Sequence, residues 1–336
     1  MMRKTTLAVA VASALALPVS AYAVGPIDGS VYGKVNISVV NDDNGTDDQM
    51  ELNSNASRIG VKGKAKLTDT LYVIYKAEYE SFWDDGDSGS SKGNDTFEQR
   101  NIIGGLKGDF GTIWGGKHDT PTKLAQKKID LFNDLEGDIK HVMAGETRAS
   151  NIVNYTTPNF SGFSASIATI FGEDRSDNDK DGFFDSYSAL AQYEADGMYV
   201  AVALDENVKS GSSTQGLGKE YVNIVRVVGQ LPIGPVTLGA LWQNAEEGDS
   251  AATGAKLDED SWHVSAKWKV GNGYTLKAQY TESDDDESDN DADLMSLGLD
   301  KKLGKKTKLF AFYTQLDEST ASDKEDWIGV GLEHKF

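Results

Sequence analysis

Cysteine is absent from the 336 residues, so an exported form of this chain is held together without disulfides. Proline numbers only 6, and no stretch of 18 or more apolar residues occurs, so no transmembrane helix is encoded. Basic residues are the minority, 33 against 53 acidic, for a formal charge of -20. That balance argues against nucleic acid as a partner and favours cations near the surface. The longest apolar block, Leu7 to Leu17, follows Arg3 and Lys4 and precedes Ala21-Tyr22-Ala23. This is the pattern of a secretory signal peptide spanning residues 1–23, cleaved after Ala23. Its removal takes both of those bases and leaves a mature chain, 24–336, of about -22.

What the mature chain has in quantity is alternation. In SWHVSAKWKV, Trp262, Val264, Ala266, Trp268 and Val270 share one face, and Ser261, His263, Ser265, Lys267 and Lys269 the other. YTLKAQYT and SYSALAQYE repeat the pattern, which is that of strands with one apolar and one polar face. Short turn sequences such as LTDT, GDFG, PIGP and GNG alternate with long acidic ones such as WDDGDSGSSKGND and ESDDDESDNDAD. The spacing predicts about sixteen antiparallel strands, an even number that suits a closed transmembrane β-barrel, with tight turns at one end and long loops at the other. Tyr79, Phe82, Trp83, Tyr187, Tyr193, Trp242, Tyr274 and Tyr280 fall near strand ends, as interfacial aromatic girdles require. A soluble sandwich is the competing use of such strands.

The chain ends WIGVGLEHKF, with Ile328, Val330, Leu332 and Phe336 on one face. In a closed barrel this last strand pairs with the first, near VYGKVNISVV, and Phe336 lies at the lipid boundary. In the second strand Arg58, Gly60, Lys62, Lys64 and Lys66 share a face, and four cations there direct it to an aqueous lumen. The longest connection, 118–146, contains TKLAQKKIDLFNDL with helical spacing, which suits a short helix resting on the barrel wall or an external loop covering the mouth.

The segments SRIGVKGKAKL, QRNIIGGLKGDFGTIWGGKHDTP, RASNIVNYTTPNFSGFSA and VGLEHKF together resemble the general diffusion porins of Gram-negative outer membranes. The resemblance implies a sixteen-stranded barrel in the cell outer membrane, a homotrimer, and a third extracellular loop (118–146) folded inward. It implies a pore constriction with a basic wall at Arg58, Lys62, Arg100 and Arg148 facing an acidic loop at Asp130, Asp134 and Glu136, with Asp138 nearby. It also implies that Phe336 is read by the barrel-assembly machinery. The expected function is passive diffusion of small hydrophilic solutes and ions, with no catalytic residues. The acidic loops suggest a weak preference for cations. The alternatives are a substrate-selective channel for sugar or phosphate on the same fold and an outer-membrane barrel enzyme.

No cofactor is expected. DNDKDG places Asp177, Asp179 and Asp181 like the opening of a calcium loop, but its twelfth position is Ser188. A solvated acidic loop is therefore preferred to a metal site. Loosely held Ca2+ or Mg2+ bridging the acidic loops to lipopolysaccharide remains an expectation to test. His118, His141, His263 and His334 lack metal-ligand spacing, and no nucleophile elbow is present.

Overall fold

The computed structural model describes residues 28–84, 96–173, 182–210, 220–251, 256–287 and 290–336. The export segment 1–23 and the carboxylates Asp177, Asp179 and Asp181 lie outside them. The strands run β1 (Asp28–Asp43), β2 (Asp48–Ser54), β3 (Arg58–Lys66), β4 (Tyr72–Ser81), β5 (Phe97–Gly108) and β6 (Gly111–Asp119). A long connection leads to β7 (Arg148–Thr156), β8 (Phe163–Ile170), β9 (Tyr187–Ala195), β10 (Met198–Lys209), β11 (Tyr221–Ile233) and β12 (Val236–Glu247). The wall is completed by β13 (Asp258–Gly271), β14 (Tyr274–Asp285), β15 (Asn290–Lys302), β16 (Thr307–Glu318) and β17 (Glu325–Lys335).

Pairing is antiparallel between strands adjacent in sequence, except that β3 pairs with β1 past β2, and β17 returns to β1 in register from Lys34↔Lys335 to Asp43↔Asp326. The sheet is thus closed, with no free edge to hydrogen-bond in hydrocarbon. β2 and β3 both pair with β1 and form one wall position interrupted at Asn55-Ala56-Ser57, so seventeen segments make a sixteen-stranded barrel. The acidic stretch NDDNGTDDQ, which has the composition of a loop, is one only in part: Gln49 and its neighbours belong to β2, and only residues 44–47 turn. The interruption hid the continuity, because Ala56 (φ 48°) steps the strand out of alternation.

Burial is inverted relative to a soluble sandwich. Val202, Leu238, Val264, Leu276 and Leu297 are exposed on the outside, while Ser265, Lys277, Gln279, Ser296 and Thr314 are buried within. Only a hydrocarbon exterior and a polar interior make that arrangement favourable. The tight turns include Asp196-Gly197 and Asn272-Gly273, where both residues have positive φ (51° and 81°; 50° and 79°). Two-residue turns of this hand match strand twist. At the C-terminus the Phe336 amide donates to Gly33 O (3.1 Å) and the Gly33 amide to Phe336 O (3.3 Å). The Phe336 ring lies where a Cβ on Gly33 would stand, 2.1 Å from Cζ, so the glycine makes room for the aromatic lock at the seam.

Candidate functional site: the lumen and its internal loop

The segment between β6 and β7 runs inside the barrel. It begins with a five-residue helix, α1 (Pro121–Ala125), capped by the Thr120 hydroxyl accepting from the Lys123 amide (3.2 Å), and later forms a 3-10 turn, Ile139–His141. The helix is short, as expected, and the helical spacing of residues 122–135 is not followed further, because Lys127 (φ 53°) and Asp134 (φ 69°) take left-handed backbone and end the helical path.

Side chains from β10 to β14 hold the segment to the wall. Tyr199 OH donates to Ala125 O (2.9 Å), Gln279 Nε2 to Gly137 O (2.7 Å), and Lys277 Nζ to Leu131 O (3.1 Å). His263 places Nε2 3.2 Å from Ile129 O and Nδ1 2.9 Å from Thr281 Oγ1. Since a carbonyl only accepts, Nε2 carries the proton toward Ile129 and Nδ1 accepts from the threonine. Glycines provide the clearance: a Cβ on Gly239 would come within 2.9 Å of Ile129, and one on Gly298 within 2.8 Å of the Phe132 ring. Ile129 and Phe132 are accordingly buried, and Lys277 Nζ sits 4.4 Å over the Phe132 ring.

The base of the segment is fixed by Arg226, which is fully buried. Its guanidinium donates to Glu146 Oε1 (2.9 Å), Ala144 O (2.9 Å), Thr122 O (3.2 Å) and Gln243 Oε1 (2.8 Å). Sequence reasoning missed this arginine. Its signal was a single cation on the inward face of β11 among Val222, Ile224 and Val228, an intramembrane charge that asks for a partner.

The tip of the segment carries the charges toward the opposite wall. Asp134 Oδ2 accepts from Lys34 Nζ (2.7 Å) and Arg58 Nη2 (2.6 Å). Burial alone would raise the Asp134 pKa, but the charges of Lys34, Arg58 and Arg100 outweigh it and hold the carboxyl well below the usual range. Arg100 pairs with Glu80 and lies 3.5 Å from Glu78, which also accepts from Tyr32 OH (2.8 Å). Arg148 meets Asp119 (2.9 Å) and Asn101 (2.9 Å). The three arginines therefore border one outer chamber of about 940 Å³. An inner chamber of about 620 Å³ lies beyond it, and Arg58, Lys127, Asn133 and Asp134 border both. These four residues are common to the two chambers.

Other sequence candidates go elsewhere. Lys62 is not at this junction; its Nζ stands 4.8 Å over the Tyr32 ring. Asp130 turns into the loop's own backbone, accepting from the Phe132 (3.0 Å) and Ile139 (3.3 Å) amides and from Gln279 Nε2 (3.2 Å). Burial, with the nearby Asp138 charge, pushes its pKa well up. Glu136 accepts from Asn53 Nδ2 (2.8 Å) on β2 rather than from an arginine, and burial raises its pKa despite that bond. Asp138 accepts from the Asp134 and Lys140 amides (both 3.0 Å) and so aims Asp134. Lys34, Glu78 and Glu80, which the sequence reading left unassigned, complete the charged wall. The alternation in VYGKVNISVV is the signal that could have set Lys34, Asn36 and Ser38 on a polar face, but contact with a loop a hundred residues away has no sequence period. Among the described residues no cluster of three or more metal-ligating side chains occurs.

A closed barrel with a greasy exterior and a charged, loop-narrowed aqueous interior defines an outer-membrane channel. Residues 6–321 match the Gram-negative porin family, and the chain belongs to it. It is 25% identical over 321 residues to outer membrane porin protein 32 of Delftia acidovorans, covering 91% of this chain and 87% of that one. Its fold matches the anion-selective porin from Comamonas acidovorans (TM-score 0.77, 22% identity, 93% and 100% covered). It also matches the trimer form of OmpT from Vibrio cholerae (TM-score 0.65, 20% identity, 92% and 99% covered). The protein is an outer-membrane porin, a passive-diffusion channel.

Proposed function

We propose that small hydrophilic solutes and ions cross this channel through an opening bordered by Arg58, Lys127, Asn133 and Asp134, and that size and a transverse field together set what passes. The observation that carries the reading is the pinning of residues 120–147 to the wall, which sets Asp134 against Lys34 and Arg58. Fixed charges bordering a passage that holds little water are weakly screened, so dipolar solutes gain from alignment and apolar ones do not. The working form is a homotrimer, as in the trimer form of OmpT. Residues 1–23 are the export signal, Phe336 is the residue the barrel-assembly machinery reads, and the rim lies against lipopolysaccharide with loosely held Ca2+ or Mg2+. The channel performs no covalent chemistry.

Purified protein in planar bilayers tests this. Conductance that closes in three equal steps, with no lipid hydrolysis, supports it. A single closing step removes the trimer, and Asp134→Asn channels with wild-type conductance and selectivity remove the assigned opening. Indifference of the assembly's thermal stability to chelator removes the divalent ions.

A further inference from the structure

The charges of this pore are sorted along its axis. At the end bearing the long connections stand Asp47, Glu247, Asp249, Asp286, Glu287 and Asp323. Apart from the internal segment 120–147, the described bases in those connections, Lys256 and Lys324, are each taken by a carboxylate, Glu287 (2.7 Å) and Asp317 (2.6 Å). At the end bearing the tight turns, the inward faces of β3, β13, β15 and β16 present Lys62, Lys64, Lys267, Lys269, Lys302 and Lys308. Cross-strand register sets Lys267 opposite Lys277 and Lys302 opposite Lys308, so like charges stand side by side. Asp300 is shared between Lys277 (3.2 Å) and Lys308 (3.3 Å). Lys267, Lys269 and Lys302 have no carboxylate within 4.0 Å among the described residues, and Lys267 feels Lys128, Lys269 and Lys302 as repelling neighbours.

We infer that the channel rectifies: it passes more current when the acidic outer side is electrically positive than when the lysine-lined inner side is. The inference rests on the open-channel reading. With the outer side positive, cations enter through the acidic mouth that concentrates them, and anions enter through the lysine mouth that concentrates them. Both accumulate around the proposed opening between the two chambers, and conductance rises. With the field reversed, each ion must enter through the mouth that repels it, and the middle of the pore is depleted. The weak cation preference expected from the acidic loops thus becomes a directional property, since the inner lysines oppose the outer carboxylates. Salt sets its reach: the Debye length is about 30 Å at about 0.01 M and about 3 Å at about 1 M.

Single channels in planar bilayers provide the test. Orientation is read from Thr46→Cys protein biotinylated before reconstitution, since the chain has no other cysteine and Thr46 lies at an exposed outer tip. Streptavidin added to one chamber perturbs the current only when that tip faces it. The expected ratio of currents at equal and opposite voltages is at least about twofold in about 0.01 M KCl, larger with the outer side positive, and close to one in about 1 M KCl. The variant Lys267→Gln/Lys269→Gln/Lys302→Gln should keep the wild-type conductance in concentrated salt, which shows that the barrel has formed, and lose most of the asymmetry in dilute salt. A symmetric wild-type channel in dilute salt, the opposite polarity, or an asymmetry untouched by the triple variant overturns the inference. Absence of any channel in concentrated salt overturns the open-channel reading itself.

Discussion

Arg226→Met isolates what holds the internal loop. The methionine retains length and apolar contact but removes four donated hydrogen bonds and the charge opposite Glu146, whose side chain is 1% exposed. Glu146 would keep only the Gln126 amide (2.9 Å) and Lys123 at 3.7 Å. Removing one partner of a buried ion pair costs about 3–5 kcal/mol. That cost falls on the docked loop alone, because an undocked loop returns Glu146 to water. At about 1.4 kcal/mol per tenfold, the docked-to-open ratio falls on the order of 100- to 5,000-fold, toward the lower end because Lys123 compensates in part. Amide hydrogen exchange of detergent-solubilised protein reads this directly: amides in 120–147 should exchange faster by that factor while strand amides remain protected. Arg226→Met/Glu146→Gln should recover most of the protection, since no unpaired charge is then buried. Unchanged exchange in 120–147, acceleration spread equally over the strands, or a double variant no better than the single one would refute the reasoning.

Asp134→Asn removes the loop carboxylate while Lys34, Arg58 and Arg100 stay, so the reversal potential in a KCl gradient should move toward chloride. Gly298→Val puts side-chain atoms into the space of the Phe132 ring; overpacking of about 1–3 kcal/mol should lower the melting temperature and raise open-channel noise. The Asp134 carboxyl, its pKa lowered, contributes fully to docking above the ordinary carboxylate pKa of about 3.9 and loses that contribution only as pH falls below it. Asp130, its pKa raised, contributes below about 3.9 and loses the contribution as pH rises through its higher folded value. As pH falls from neutrality toward about 3.9, loop protection corrected for intrinsic exchange should therefore increase, and Asp130→Asn should weaken that dependence, leaving the share of Glu136, whose pKa is also raised.

The sequence by itself determined the barrel. Period-two alternation places Val264 and Leu276 outside and Ser265 and Lys277 inside, and the turn residues mark the tight end, because a pleated strand leaves each side chain only two directions. It also determined that Arg58 and the inner lysines face the lumen, since hydrocarbon does not accept a row of cations. Tertiary structure alone decided which charges meet. Of the three loop carboxylates singled out by motif, only Asp134 reaches the arginine wall, while Asp130 and Glu136 serve the loop's own backbone and Asn53. The reason is physical: within 120–147 no repeat fixes where a side chain points. Its path is set by glycine clearances at Gly239 and Gly298 and by Arg226, all contributed by strands that lie 80 or more residues further along the chain.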